Sequence, residues 1–285
     1  MSTPTPRLDD RLPGQPLALT PDVNAAHRQR SRAALVAHQF RYELPTFWRN
    51  PQSVFFTLAF PVMFLVIFAS VFGHGNVKVF GGTINTAVYY VPGIMALGII
   101  SASFGNLATS VIGNREAGIY KRRRATPVPA VVLIAARALV AVMLALLIAG
   151  VLLAIGYGYG ASIPGHTAPA LILDIVVGSL AFCCLGYALA SVVANADAIT
   201  PIVTFLTLPL YFISGVFVPA SELPHWLVNV AAVFPVRHLA TALLAAYNPH
   251  TAGTGIHGVD LAVIAGWGLF GLVMAVWRFS WLPKR

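Results

Sequence analysis

Charge is what this sequence has least of. Nine acidic and eighteen basic residues make up only 9% of its 285 positions, against roughly a quarter in a soluble domain, so water is not its main solvent. Cysteine is almost absent. Cys183 and Cys184 are adjacent within one apolar run, and neighbouring helical positions disfavour a mutual disulfide, so the pair says nothing about redox compartment. No Gly-rich turn ends in Gly-Lys-Ser/Thr, which removes the phosphate loop of an ATPase. Gly156, Gly158 and Gly160 form a GYGYG stretch without the lysine and read as a turn at a membrane exit. Neither the His-Glu-x-x-His spacing of a zinc site nor a Gly-x-Ser-x-Gly elbow occurs. The eight histidines are scattered over both ends of the chain, with His225 and His238 placed to approach each other late in the sequence. The chain therefore offers no catalytic residue, metal site or cofactor of its own.

What is abundant is apolar length. Hydrophobic residues are 58% of the chain and the mean hydropathy is +0.78. Apolar runs cover Val54–Gly73, Tyr89–Gly113, Val131–Gly156, Leu171–Val193, Ile199–Val218 and Leu261–Trp277, the last reaching 259–278 with its flanks. Each approaches the roughly 20 residues that cross a bilayer core. The expected fold is all-α and integral to the membrane, with six transmembrane helices.

The few cations are sorted along that plan. Sixteen of the eighteen lie on or near one side. They are Arg7, Arg11, Arg28, Arg30, Arg32, Arg41 and Arg49 before the first span, Arg115 and Lys121 to Arg124 between the second and third, Arg137, and Arg278, Lys284 and Arg285 at the end. Only Lys78 and Arg237 fall on the other side. The positive-inside rule makes the rich side cytoplasmic, so both termini are expected in the cytoplasm of a multi-pass plasma-membrane protein. The cationic loops face anionic lipids and a cytoplasmic partner. Nucleic acid is not an expected partner, because no reading motif accompanies the charge.

Residues 1–29, rich in Pro, Thr, Asp and Gly, read as a disordered cytoplasmic tail and not as a cleavable signal peptide; residues 279–285 read as a second short tail. From 30 to 50, apolar residues alternate with arginines at helical spacing, with Phe40, Leu44 and Trp48 on one face. This predicts an amphipathic elbow helix in the cytoplasmic interface, bent at Pro45 and followed by Pro51 at the entry to the first span. It reads either as an anchor alone or as an elbow that also packs against a motor subunit.

Two segments carry local signals. The loop 114–129 reads NREAGIYKRRRATPVP. It is either a positive-inside retention signal or a short docking helix in which Glu116 accepts charged hydrogen bonds and Lys121 to Arg124 meet acidic groups or lipid phosphates. After the fifth run, Pro219, Pro224 and Pro235 cut the sequence into pieces too short to cross, yet Trp226, Leu227, Val230 and Val233 keep an apolar face. An outer re-entrant or interfacial hairpin over 219–247 satisfies both facts, with Ser214 and Gly215 permitting close helix contact.

Together, REAG…KRRRATPVP and ISGVFVPASELPHWLVNVAAVFPVRHLATAL resemble the permease subunit of ABC-2 type exporters, particularly the daunorubicin/doxorubicin-resistance permease branch. The resemblance runs from about Ala33 to Trp277 and implies an ABC-2 type transmembrane domain over 30–278. It further implies a second permease subunit, identical or homologous, and a cytoplasmic ABC ATP-binding subunit that holds the ATP and Mg. On the matching positions, Arg115, Glu116, Gly118, Arg124, Ala125, Thr126 and Pro127 couple to the ATPase. Ser214, Gly215, Phe217, Pro219, Leu223, Pro224, Trp226, Pro235 and His238 form the outer hairpin or gate. Where many relatives have a leucine-rich stretch before Arg-Ala-Thr-Pro, this chain has Ile119, Tyr120, Lys121, Arg122 and Arg123.

The implied activity is alternating exposure of a path for a lipophilic drug, lipid or glycolipid-like cargo, moved outward. Candidate path residues are Phe56, Phe60, Phe64, Tyr90, Phe205, Tyr211 and Phe212, with Phe55, Phe68 and Tyr89 beside them. The alternatives are a gradient-driven secondary transporter and a non-transport scaffold. For the first, a buried ionisable residue is the expected mark. Asp174 is expected to reach interfacial water, Asp197 to cap a helix with Asn195, and Arg137 to snorkel to headgroups or to pair with Asp197.

Overall fold

The computed structural model describes residues 32–79, 82–119, 130–161, 163–251 and 253–278. The expected N-terminal tail, the last residues of the chain and most of the basic loop lie outside the described residues. Helix α1, Arg32–Trp48, is the elbow. A helical run from Pro51 follows, through a short α turn and a π-helical segment Phe55–Ala59, into α2, Phe60–Phe72. After a two-stranded hairpin come α3 (Thr86–Ile100), a second π segment (Ser101–Gly105) and α4 (Asn106–Glu116), which form one continuous span. Then α5 (Ala130–Gly158), α6 (Ala168–Val192) and α7 (Ala196–Ile213) precede a bent pair, α8 (His225–Ala231) and α9 (Pro235–Tyr247), and the final helix α10 (Gly258–Arg278).

Among the described residues, five helices are long and apolar enough to cross a membrane, and the bent pair, turning by 98°, raises the number to as many as six. The first expected span, by contrast, has an apolar stretch of only Thr57–Phe72. The fold is the all-α membrane architecture expected, with an N-terminal helix and a bent pair suited to a re-entrant or interfacial hairpin. One small departure is β1, Asn76–Val79, paired antiparallel with β2, Gly82–Asn85. Alternating Val77 and Ile84 are buried there while Lys78 is exposed.

The second span is the core. Every residue of α3 is buried, as a helix apolar on all sides requires when neighbours surround it. Asn85 starts it by accepting a hydrogen bond from the Ala87 amide at 2.8 Å. Lower down, the two π segments meet, and the Asn106 amide donates to Thr57 Oγ1 at 3.2 Å. A π turn widens the helix locally and re-aims side chains, which lets this polar pair find each other between two otherwise apolar spans.

Helices α6 and α10 make the most extensive packing in the molecule, and small residues permit it. A Cβ built on Gly271 falls 2.8 Å from the Cys184 and Leu185 backbone, and one on Gly268 falls 2.9 Å from the Ala181 Cβ. Close backbone approach of this kind is how helices associate in lipid, where burial from water no longer drives contact. Gly271→Val is expected to lower stability by about 1–3 kcal/mol through overpacking, measured as thermal unfolding in detergent. Gly266→Val in the same helix, with nothing within 4 Å of its Cβ, is the control that stays near wild type.

Candidate functional site

The basic end of the bundle is organised by two adjacent residues. Arg115, on the last turn of α4, is 1% exposed. Its Nη1 donates to the Ala190 carbonyl at 3.0 Å and its Nη2 to those of Val193 and Ala194 at 2.6 and 3.1 Å. These are the orphan acceptors left where α6 ends, at the negative end of its dipole. Glu116 reaches the next helix instead: its Oε1 accepts from the Ala196 amide at 2.7 Å, at the positive start of α7. A cation thus closes one helix and an anion opens the next, so the second span is fastened to the break between the fourth and fifth. Asn195 completes that start by accepting from the Asp197 amide at 2.8 Å.

Gly118 follows at φ +68°, where only glycine sits without strain, and its amide donates back to the Arg115 carbonyl at 3.2 Å. This left-handed turn closes the end of α4. Arg124, Ala125, Thr126 and Pro127 lie outside the described residues.

The elbow is joined to the same end. Its apolar side, with Ala33, Val36, Ala37 and Phe40, shares a cleft with Leu139, Val142, Met143 and Leu146 of α5. Leu44 is half-buried while Trp48 is exposed, so the three expected face residues do not share one environment. Arg137 neither snorkels freely nor meets Asp197; it pairs with Glu43 of the elbow, Nε to Oε2 at 3.6 Å. Beside this pair lies a cavity of about 360 Å³ whose polar wall includes Asn50, Asn106, Ser110 and Asn114.

Toward the other end, several expected path residues converge on one ring that was expected in the hairpin. Phe217 packs against Phe64 at 5.7 Å, Phe68 at 5.2 Å, Tyr211 at 6.1 Å and Phe212 at 5.1 Å between ring centroids. Phe60 and Tyr90 extend the cluster through Phe64 and Phe68. Phe205 does not join it, being 76% exposed, and Phe55 is also exposed; the Phe56 side chain lies outside the described residues.

The hairpin itself is pinned to the bundle. Tyr89 donates its hydroxyl to the Gly215 carbonyl at 2.8 Å, Gly215 takes a φ of +87°, and Gly93 leaves room for the Val216 backbone. Ser214, Phe217, Pro219 and Pro235 are buried, Leu223 is half-buried, and Pro224 and Trp226 are exposed. His238 does not meet His225. Its ring nitrogens face Asp260 at 2.6 Å and the Ala232 carbonyl at 2.8 Å, which ties α9 to α10, and the Trp267 indole donates to the Val233 carbonyl at 2.9 Å. Asp174 does not reach interfacial water. It is 0% exposed, and neither carboxylate oxygen has a hydrogen-bond partner among the described residues.

Among the described residues no group of three or more His, Cys, Asp or Glu is arranged to hold a metal ion. Comparison with known families finds a match to the ABC-2 type transporter over residues 35–248, about three quarters of the chain. No curated protein matches the chain.

Proposed function

The chain belongs to the ABC-2 type transporter family, and from that premise we propose that it is the permease subunit of an ATP-driven exporter. A separate cytoplasmic ATP-binding subunit supplies ATP and Mg, and a second permease subunit, identical or homologous, completes the path. The basic end faces the cytoplasm and the hairpin faces outward. The cargo is lipophilic, a drug, lipid or glycolipid-like compound, in the manner of the daunorubicin/doxorubicin-resistance permease branch. The chain makes and breaks no covalent bond.

The observation that supports this most is the Arg115–Glu116 clamp. A partner pressing on the loop that follows Gly118 moves the end of the second span, and the clamp carries that movement to the fourth and fifth. The Glu43–Arg137 pair brings the elbow and third span into the same unit. The aromatic cluster around Phe217 then joins the first, second and fifth spans to the hairpin, so relative movement of the spans opens or closes an apolar route.

The test is ATP hydrolysis by the chain co-purified with its ATP-binding partner in lipid nanodiscs, over a panel of lipophilic compounds. The expected result is turnover stimulated by a subset of the panel. A second reading, gradient-driven transport, is favoured by the buried Asp174, whose carboxylate has no hydrogen-bond partner among the described residues. Transport driven by a pH gradient in proteoliposomes without the ATP-binding subunit, and abolished by Asp174→Asn, would replace the first reading with the second.

A further inference from the structure

Positive charge is scarce at the hairpin end. Among the described residues, Lys78 and Arg237 are the lysine and arginine found there. The fold brings both to one place. Lys78 stands on β1 and Arg237 on α9, and both line a cavity of about 470 Å³ beneath the β-hairpin, with His225 as a third nitrogen base. Arg237 also borders a smaller cavity with Tyr89, Ser214 and Thr241. Its Nη1 is buried and has no hydrogen-bond partner among the described residues.

This arrangement is unfavourable as it stands. A guanidinium N–H taken out of water and left without an acceptor loses more than an ordinary hydrogen bond returns, and gathering two like charges around one apolar-walled space adds repulsion. Among the described residues no carboxylate lines either cavity; Glu222 is the neighbour of the lining residue Ser221, and it is exposed. Such a setting suits an anion. Beside Tyr89 and Ser221, much of the remaining wall is apolar, with Val77, Val79, Leu223, Val228 and Leu244, which suits an alkyl chain.

We infer that this cavity binds the anionic headgroup, phosphate or carboxylate, of an amphiphile. Arg237 is the principal donor, because its planar guanidinium meets two oxygens at once. Lys78, exposed on its strand, adds the second charge at the mouth, and the apolar wall takes the first methylenes. The inference concerns the chemistry of the cavity and stands whether ATP or an ion gradient drives the chain.

The test is titration of the full chain in neutral detergent with dihexanoyl phosphatidylglycerol, read by native mass spectrometry. Dihexanoyl phosphatidylcholine and inorganic phosphate serve as comparison probes. The anionic lipid is expected to bind at a saturable site, to be weakened about tenfold or more by Arg237→Gln and by Lys78→Gln, and to be unaffected by Arg49→Gln at the opposite end. The Lys78 variant alters only an exposed strand residue, so its result stands even where Arg237→Gln destabilises the hairpin. Equal binding of the neutral lipid, or unchanged affinity in both cavity variants, overturns the proposal. Inorganic phosphate binding as tightly as the lipid would assign the cavity to a free anion and overturn the amphiphile.

Discussion

Arg115→Ala is expected to lower stability by about 2–4 kcal/mol, because a hydrogen bond from a charged donor contributes about 1.5–3 kcal/mol and a buried carbonyl left without its donor costs a similar amount. Three carbonyls at the end of α6 lose their donor together, and a methyl group cannot close the space that a 1% exposed guanidinium fills. Lysine keeps the charge but not the planar set of donors, so Arg115→Lys is expected to recover only part of the loss. Thermal unfolding in detergent measures both, and limited proteolysis between α6 and α7 locates the damage. Alanine and wild type melting together would show that the clamp is not structural. Glu116→Ala should be much milder, about 1 kcal/mol as for removal of an exposed helix cap, which makes it the cleaner probe of coupling.

Phe217→Ala is the second large effect, about 3 kcal/mol. The ring touches Phe64 and Phe68 of the first span and Tyr211 and Phe212 of the fifth, so its removal leaves a cavity whose walls belong to different helices. In lipid the gain from leaving water is small and the lost dispersion contacts dominate, which places the expectation at the lower end of core truncations. Phe217→Leu keeps most of the volume and should cost less than about 1.5 kcal/mol. The measurement is thermal unfolding of both variants, with Phe205→Ala, a change at an exposed ring, as the near-neutral comparison. Equal loss at Phe205 and Phe217 would contradict the convergence of the aromatics on Phe217.

The features legible in sequence were those set by composition over long windows. Apolar length announced the spans. Helical spacing announced the elbow. What stayed hidden depends on contacts between distant segments. Arg115 read as one more cation in a basic loop because nothing local tells a buried arginine from a solvated one; only the carbonyls of Ala190, Val193 and Ala194 decide it. Arg137 found Glu43 and not Asp197, since the elbow folds onto the third span, a choice that periodicity does not encode. Asp174 lies within the first two turns of α6, where proximity to the helix end argued for water, yet its side chain is fully buried. The β-hairpin is four residues a side, too short for its alternation to stand out between two apolar helices. Phe217 was readable as a hairpin residue, but its role as the meeting point of the aromatics needed the fold.

The clamp is the centre of this account, and Glu116 tests it most directly. Wild type, Glu116→Ala and Glu116→Gln are each purified with the ATP-binding partner, reconstituted in nanodiscs and assayed for ATP hydrolysis with and without a stimulating lipophilic compound. The account predicts that all three assemble, that the alanine variant keeps basal turnover but loses stimulation, and that glutamine, which retains an acceptor for the Ala196 amide, restores part of it. Full stimulation in a stably assembled Glu116→Ala complex would contradict the claim that the second span drives the fourth and fifth through this residue.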